Sequence, residues 1–212
     1  VRARPPNARE LAGEGSGVCV EVVPEAAVVR LGEGGAAGAF TFDTAFPMGC
    51  SQEAVFRAIG VDLVAQTCGG YNASLFAYGQ TSSGKTHSMM GQRGTAEAGL
   101  IPRICELLFT ALGAFLAENP EGNEALVEAS YLEIYNEQVV DLLGGCRVLK
   151  VREDPNLGVV AVGLHTVELE SAAGALAAIE RGAGGRKVAA TKYNLESSRS
   201  HAVFELHVKK GY

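Results

Sequence analysis

The eight residues Gly79-Gln80-Thr81-Ser82-Ser83-Gly84-Lys85-Thr86 fit the pattern G-x-x-x-x-G-K-[ST] at every fixed position, and this pattern demands a particular surrounding architecture. Each fixed residue type answers a chemical need. Glycines let backbone N–H groups curl around phosphate oxygens where a side chain would obstruct the approach. Lys85 supplies a point charge to β and γ phosphates, and Thr86 offers a hydroxyl to Mg²⁺ at the start of a helix whose dipole favours anions. Such a cradle requires a buried strand leading in and a helix leading out. Ser74–Tyr78 (SLFAY) is the apolar run expected for that strand, a parallel one covered on both faces. The competing reading, a flexible Gly/Ser loop, leaves this context unexplained.

Elsewhere the chain alternates strand-like and helix-like segments. Val18–Val23, Ala27–Leu31 and Phe40–Phe42 are short β-prone runs expected to form a small antiparallel lobe. Ser51 reads as an N-cap for a helix carrying Val55, Phe56, Ile59 and Leu63, which Gly69-Gly70 ends. Ile101, Ile104, Leu107, Leu108, Ala111, Leu112 and Phe115 share one face of a second helix. Ala125–Tyr135, Val148–Val151, Val159–Val162 and Ala202–Val208 read as strands, and Ser171–Arg181 as an Ala-rich helix stopped by Gly182. Val1–Arg4 resembles the tail of a strand, halted by Pro5-Pro6. The expectation is one α/β domain over residues 1–212, a P-loop NTPase layered fold with a central, mostly parallel-type mixed sheet flanked by helices.

Composition removes several alternatives. Five cysteines stand far apart without a C-x-x-C pair, against both a zinc site and a disulfide framework and in keeping with a reducing cytosol. A formal net charge of −6 gives no reason to expect nucleic acid as a partner. No stretch is read as approaching the ~20 apolar residues of a membrane span, so no membrane contact is expected. The basic groups at Arg147, Lys150, Arg152, Arg186, Lys187, Lys209 and Lys210 read as solvated surface.

The phosphate loop alone does not separate ATPases, GTPases, nucleotide kinases and motors. A second segment, Asn194-Leu195-Glu196-Ser197-Ser198-Arg199-Ser200-His201, concentrates hydroxyls, a guanidinium and an imidazole between a helix and a strand, which suits a loop sensing phosphate and Mg²⁺. FAYGQTSSGKTHSMMG (Phe76–Gly91) resembles the phosphate loop of kinesins, and NLESSRSHAVF (Asn194–Phe204) is similar to their switch I motif N-x-x-S-S-R-S-H. RARP (Arg2–Pro5) resembles the R-x-R-P that closes the first strand of that motor domain, and YLEIYNEQVVDLL (Tyr131–Leu143) its S-Y-x-E-I-Y-N-E-x-V-x-D-L-L segment. Within the family, Val151-Arg152-Glu153 and Lys187–Phe204 look most like the kinesin-3 group.

The resemblance implies an ATP-binding, microtubule-stimulated motor of the cytoplasm and cytoskeleton, with ATP and Mg as cofactors and microtubules as the partner of the complete motor. Arg2, Pro5, Tyr71 and His87 would flank the adenine. Gly79, Gln80, Thr81, Ser82, Ser83, Gly84, Lys85 and Thr86 would hold the phosphates, with Thr86 and Ser198 on Mg²⁺. Asn194, Ser197, Ser198 and Arg199 would serve the γ-phosphate and the attacking water, Arg199 also pairing with a switch II glutamate. His201 either orients its loop or takes part directly. An unrelated P-loop GTPase would need a base-specificity motif such as N-K-x-D, which is not found.

The family's switch II, D-L-A-G-S-E, does not occur in these residues, nor do the helices that dock on tubulin. Asp141-Leu142-Leu143-Gly144 fits D-x-x-G but precedes switch I and is read as structural. The expectation is a truncated motor domain that binds ATP, hydrolyses it slowly and leaves part of its sheet uncovered. The alternative is a non-motile nucleotide-binding or interaction fragment derived from a kinesin.

Overall fold

A computed structural model of the protein describes residues 1–12, 19–32, 36–155, 158–193 and 200–211, the side chains of 188–193 excepted. The described chain forms two compact units, Val1–Asp62 with Leu75–Ile101, and Leu63–Ser74 with Pro102–Tyr212.

In the first unit the opening residues run beside Phe46 through an isolated parallel bridge from Arg2, with Ala3 N–H donating to Phe46 O at 3.0 Å. After Pro5-Pro6 comes a turn of helix, α1 (Ala8–Ala12), that the sequence reading missed. Asn7 starts it: its Oδ1 accepts from the N–H groups of Arg9 and Glu10, both at 3.0 Å, while Glu10 Oε2 accepts from Asn7 N–H at 2.7 Å. This reciprocal arrangement is a capping box. The expected antiparallel lobe is present as β1 (Val20–Val23), β2 (Val28–Leu31) and β3 (Gly38–Thr41), paired in that order.

The next helix, α2 (Gln52–Cys68), begins as expected at Ser51, whose Oγ accepts from Ala54 N–H at 3.1 Å. It ends at the glycine pair: Gly70 takes φ +89, a left-handed conformation that suits glycine. The first unit buries Val29, Ala45, Phe46, Val55 and Leu100.

One element departs from expectation. Ser74–Tyr78 forms neither helix nor strand and joins no ladder, and Phe76 and Tyr78 are 83% and 97% exposed. An interior parallel strand depends on hydrogen-bonding neighbours at both edges. The described strands instead pair antiparallel with one another, which leaves this run without a partner among them.

The second unit is built on β4 (Glu124–Tyr135), the longest strand, which is flanked on both edges. One edge pairs antiparallel with β10 (His201–Gly211) over its whole length, from His201 opposite Ile134 to Gly211 opposite Glu124. The other edge pairs with β5 (Gln138–Asp141) through a tight hairpin at Asn136-Glu137, and with β9 (Thr166–Glu168). Beyond β5 lies β6 (Arg147–Leu149), while β7 (Val151–Asp154) and β8 (Gly158–Ala161) form a separate hairpin. The single strand expected over Val148–Val151 is thus broken at Lys150.

Helix α4 (Leu100–Glu118) buries Cys105, Leu108 and Leu112 at the anticipated helical spacing. By length and composition it is apolar enough to cross a membrane, contrary to the reading that no stretch approaches that size. Its buried stripe is what a core helix also shows.

Helix α5 (Ala172–Tyr193) corrects another expectation, because it does not stop at Gly182. There a Cβ would lie only 2.0 Å from Tyr131 Cδ1, so this glycine serves close packing of the helix on β4 instead of ending it.

Candidate functional site

The loop Gly79–Thr86 is shaped by three residues with positive φ, Gly79 (+156), Ser82 (+66) and Gly84 (+95). A Cβ at Gly79 would sit 2.5 Å from Ser83 Oγ, so a side chain there would collide with the loop itself. The chain then enters the short helix α3 (Lys85–Met89), with Ser88 N–H donating to Gly84 O at 2.9 Å. Left-handed residues interspersed through a loop that runs into a helix can turn N–H groups toward one side, an anion-binding concavity.

The Lys85 ammonium reaches back over the loop and donates to Gly79 O at 2.7 Å and Gln80 O at 2.8 Å. It is thus held at the mouth of the concavity by two neutral acceptors. Phosphate oxygens would be stronger ones, because hydrogen bonds between ionised partners are roughly twice as strong as neutral ones. Thr86 is exposed. A loop that a Cβ would obstruct, a cationic amine over it and a free hydroxyl behind it fit a phosphate group with its divalent cation. Among the described residues no cluster of His, Cys, Asp or Glu could hold a metal by itself.

Beside the loop lies a polar network that only partly coincides with the expected base contacts. Arg2 Nη1 donates to Gln52 Oε1 at 2.7 Å and to Ser88 Oγ at 3.1 Å, while its Nη2 donates to Cys50 O at 3.0 Å. Gln52 Nε2 donates to His87 O at 2.7 Å and lies 3.3 and 3.4 Å from the two ring nitrogens of His87. The His87 ring also faces Glu97, Nε2 to Oε2 at 3.4 Å.

Arg2 and His87 are therefore brought together through Gln52, which is 1% exposed. Sequence reasoning missed Gln52, since a glutamine just after an N-cap reads as a solvated helix start. Arg4 passes 3.7 Å from where a Gly84 Cβ would stand, and its guanidinium pairs with Glu10. The Asn7 N–H, and after it Arg4, hold the Glu10 carboxyl below the usual carboxylate range. Pro5 is exposed. Tyr71 belongs to the second unit and is 72% exposed.

Of the second motif, Asn194, Ser197, Ser198 and Arg199 lie outside the described residues. Its last hydroxyl, Ser200 Oγ, donates to Glu133 Oε1 at 2.5 Å and accepts from Arg186 Nη2 at 2.6 Å. Arg186 Nε donates to the same carboxylate oxygen at 2.6 Å, which ties α5 and the start of β10 to β4. Glu133 is 1% exposed, and its other oxygen, Oε2, has no hydrogen-bond partner. His201 opens β10 opposite Ile134 and is exposed.

The D-x-x-G at Asp141 is structural, as expected. Its buried carboxylate accepts from the N–H groups of Leu143 (3.0 Å), Gly144 (2.8 Å) and His165 (3.1 Å).

Comparison with known proteins places these features in a family. A model described as the kinesin motor domain matches residues 2–211. Kinesin-like protein KIN-12E of Arabidopsis thaliana is 38% identical over 212 residues, covering 96% of this chain and 17% of that protein. Chromosome-associated kinesin KIF4 of Gallus gallus is 39% identical over 215 residues, covering 97% of this chain and likewise 17% of that protein. A solved structure of a fast kinesin matches with a TM-score of 0.86 at 34% identity, covering 99% of this chain and 58% of that one.

Proposed function

The chain belongs to the kinesin motor-domain family, and we propose that residues 1–212 form the ATP-binding part of a motor domain that couples ATP hydrolysis to movement along microtubules. The observation that carries this reading is the phosphate loop, with its left-handed glycines at 79 and 84 and the Lys85 ammonium poised over it. The loop Gly79–Thr86 receives the phosphates on its backbone N–H groups, and Lys85 exchanges its two carbonyl acceptors for phosphate oxygens. Thr86 and Ser198 supply hydroxyls to Mg²⁺. When bound, that ion neutralises charge building on the β and γ phosphate oxygens.

Arg2, Pro5, Tyr71 and His87 flank the adenine in this reading. Asn194, Ser197, Ser198 and Arg199 serve the γ-phosphate and the water that attacks it. Microtubules are the partner of the whole motor, and the cytoplasmic cytoskeleton is its place of work. Support comes from the family match, from the close likeness to a solved kinesin and from the geometry of the first unit.

The test is binding of ATP with and without Mg²⁺, alongside microtubule-stimulated turnover, for the chain and its Lys85→Ala variant. Mg²⁺-dependent binding is expected for the wild type, with a loss of at least about a hundredfold in the variant, since charge-assisted bonds each contribute about 1.5–3 kcal/mol. Equal ATP affinity in the two proteins would overturn the assignment of the loop.

A further inference from the structure

The network around Gln52 commits both polar atoms of one buried side chain to other parts of the chain beside the phosphate loop. The Gln52 carboxamide is 1% exposed, at the first position of α2. Its oxygen accepts from Arg2 Nη1 at 2.7 Å. Its nitrogen donates to His87 O at 2.7 Å and to Glu97 O at 3.3 Å. Three separate stretches, the opening residues, helix α3 and the loop before α4, therefore meet on one amide.

We propose that Gln52 is a positioning residue for base recognition: its carboxamide locks the Arg2 guanidinium and the His87 ring into one arrangement beside the phosphate loop. The inference rests on the reading that Arg2 and His87 flank the adenine.

Only an amide suits this place. Arg2 is met by an acceptor and His87 O by a donor, and glutamine carries both on one planar group. A carboxylate would satisfy Arg2 but turn a second acceptor toward two carbonyls. An apolar side chain would take from the Arg2 guanidinium its shortest acceptor and from His87 O its side-chain donor, and a buried polar group that loses its partner costs more than the bond itself contributes. The arrangement also leaves His87 usable, since its side chain remains 52% exposed while its backbone is pinned. Arg2, held by Gln52, Ser88 and Cys50 together, has its rotamer fixed before any ligand arrives. Fixing the contacts in advance removes ordering costs from binding.

The experiment compares two ligands, ADP and inorganic tripolyphosphate, on the wild type, Gln52→Met and Gln52→Glu. Tripolyphosphate engages the phosphate loop and has no base. Gln52→Met is expected to weaken ADP binding roughly tenfold, with the tripolyphosphate affinity within about twofold of wild type. Gln52→Glu keeps an acceptor for Arg2 and should lose about threefold to fivefold on ADP alone. It also serves as the readable variant should the methionine disturb folding.

Equal loss on both ligands would assign Gln52 to the fold and overturn the inference. So would unchanged ADP affinity in both variants of a wild type that binds ADP. A wild type that binds neither ligand would overturn the phosphate-loop reading itself, and this inference with it.

Discussion

Replacing Gly182 by alanine sets two opposed effects against each other on one helix. In the interior of α5 an alanine is favoured over glycine by about 1 kcal/mol, because glycine loses more backbone freedom on folding. Against this, a Cβ at 182 would lie 2.0 Å from Tyr131 Cδ1, 2.6 Å from Cε1 and 3.1 Å from Cγ. The ring or the helix must therefore give by more than about 1 Å to restore ordinary contact. Tyr131 has little room to turn, being 9% exposed and set edge-on to Phe204 with ring centroids 5.5 Å apart. Overpacking costs about 1–3 kcal/mol, and an overlap of this size belongs at the upper end. The expected net effect is a loss of about 2 kcal/mol. Gly184, two residues on, has nothing within 4 Å of its would-be Cβ, so Gly184→Ala should add about 1 kcal/mol. Urea unfolding followed by far-UV circular dichroism reads both, with the midpoints moving in opposite directions and the slope constant. A Gly182→Ala protein as stable as wild type, or more so, would refute the argument that this glycine is set by the ring of Tyr131.

Three further outcomes follow from the described contacts. Asp141→Ala strips a buried acceptor from three N–H groups and should destabilise by about 3 kcal/mol or more, measured by the same denaturation. Ser51→Ala removes the α2 cap and should cost about 1 kcal/mol, with a correspondingly lower thermal midpoint. Burial pushes the Cys105 thiol up to about 11 from 9.0, so at pH 8 a thiol reagent should label Cys19, Cys50 and Cys68 well before Cys105. The same shift sets a sign: the folded state keeps the proton longer than the unfolded chain. This group therefore makes stability fall as pH rises from about 9 to about 11. Alkaline titration of Cys105→Ala against wild type should show a shallower loss in the variant.

What could be read from the sequence was local in its physics. The helix start behind Gly84, the cap at Ser51, the Gly69-Gly70 stop and the strand at β10 each depend on a few neighbouring residues, and each is found as expected. The misjudged features depend on what lies across space. Gly182 obeys every rule for a helix stop, yet a tyrosine from β4 decides its role. SLFAY carries the composition of a buried strand, but composition does not supply ladder partners. Gln52 gives no sign of burial until Arg2 and His87 are seen to converge on it. The place of Asp141 in the motif order marks it as structural, but its three N–H donors, one from His165 far along the chain, are set by the fold. Asn194, Ser197, Ser198 and Arg199, the most specific part of the second motif, lie outside the described residues and rest on their chemistry and on the resemblance.

The ladder between β4 and β10 has a consequence for the chain as it is made. Its partners, Ile134 with His201 at one end and Glu124 with Gly211 at the other, stand roughly 70 to 90 residues apart. Synthesis at about 5–20 residues per second leaves β4 on the order of ten seconds with one edge bare. In that interval β5 can close its hairpin on the opposite edge, but the N–H and C=O groups awaiting β10 stay open to any other strand. β4 carries Glu124, Glu128 and Glu133 along its length, and acidic residues on an unpaired strand discourage pairing with another copy of itself. Glu133, later paired with Arg186 and Ser200, would thus guard the nascent strand before it joins the finished fold.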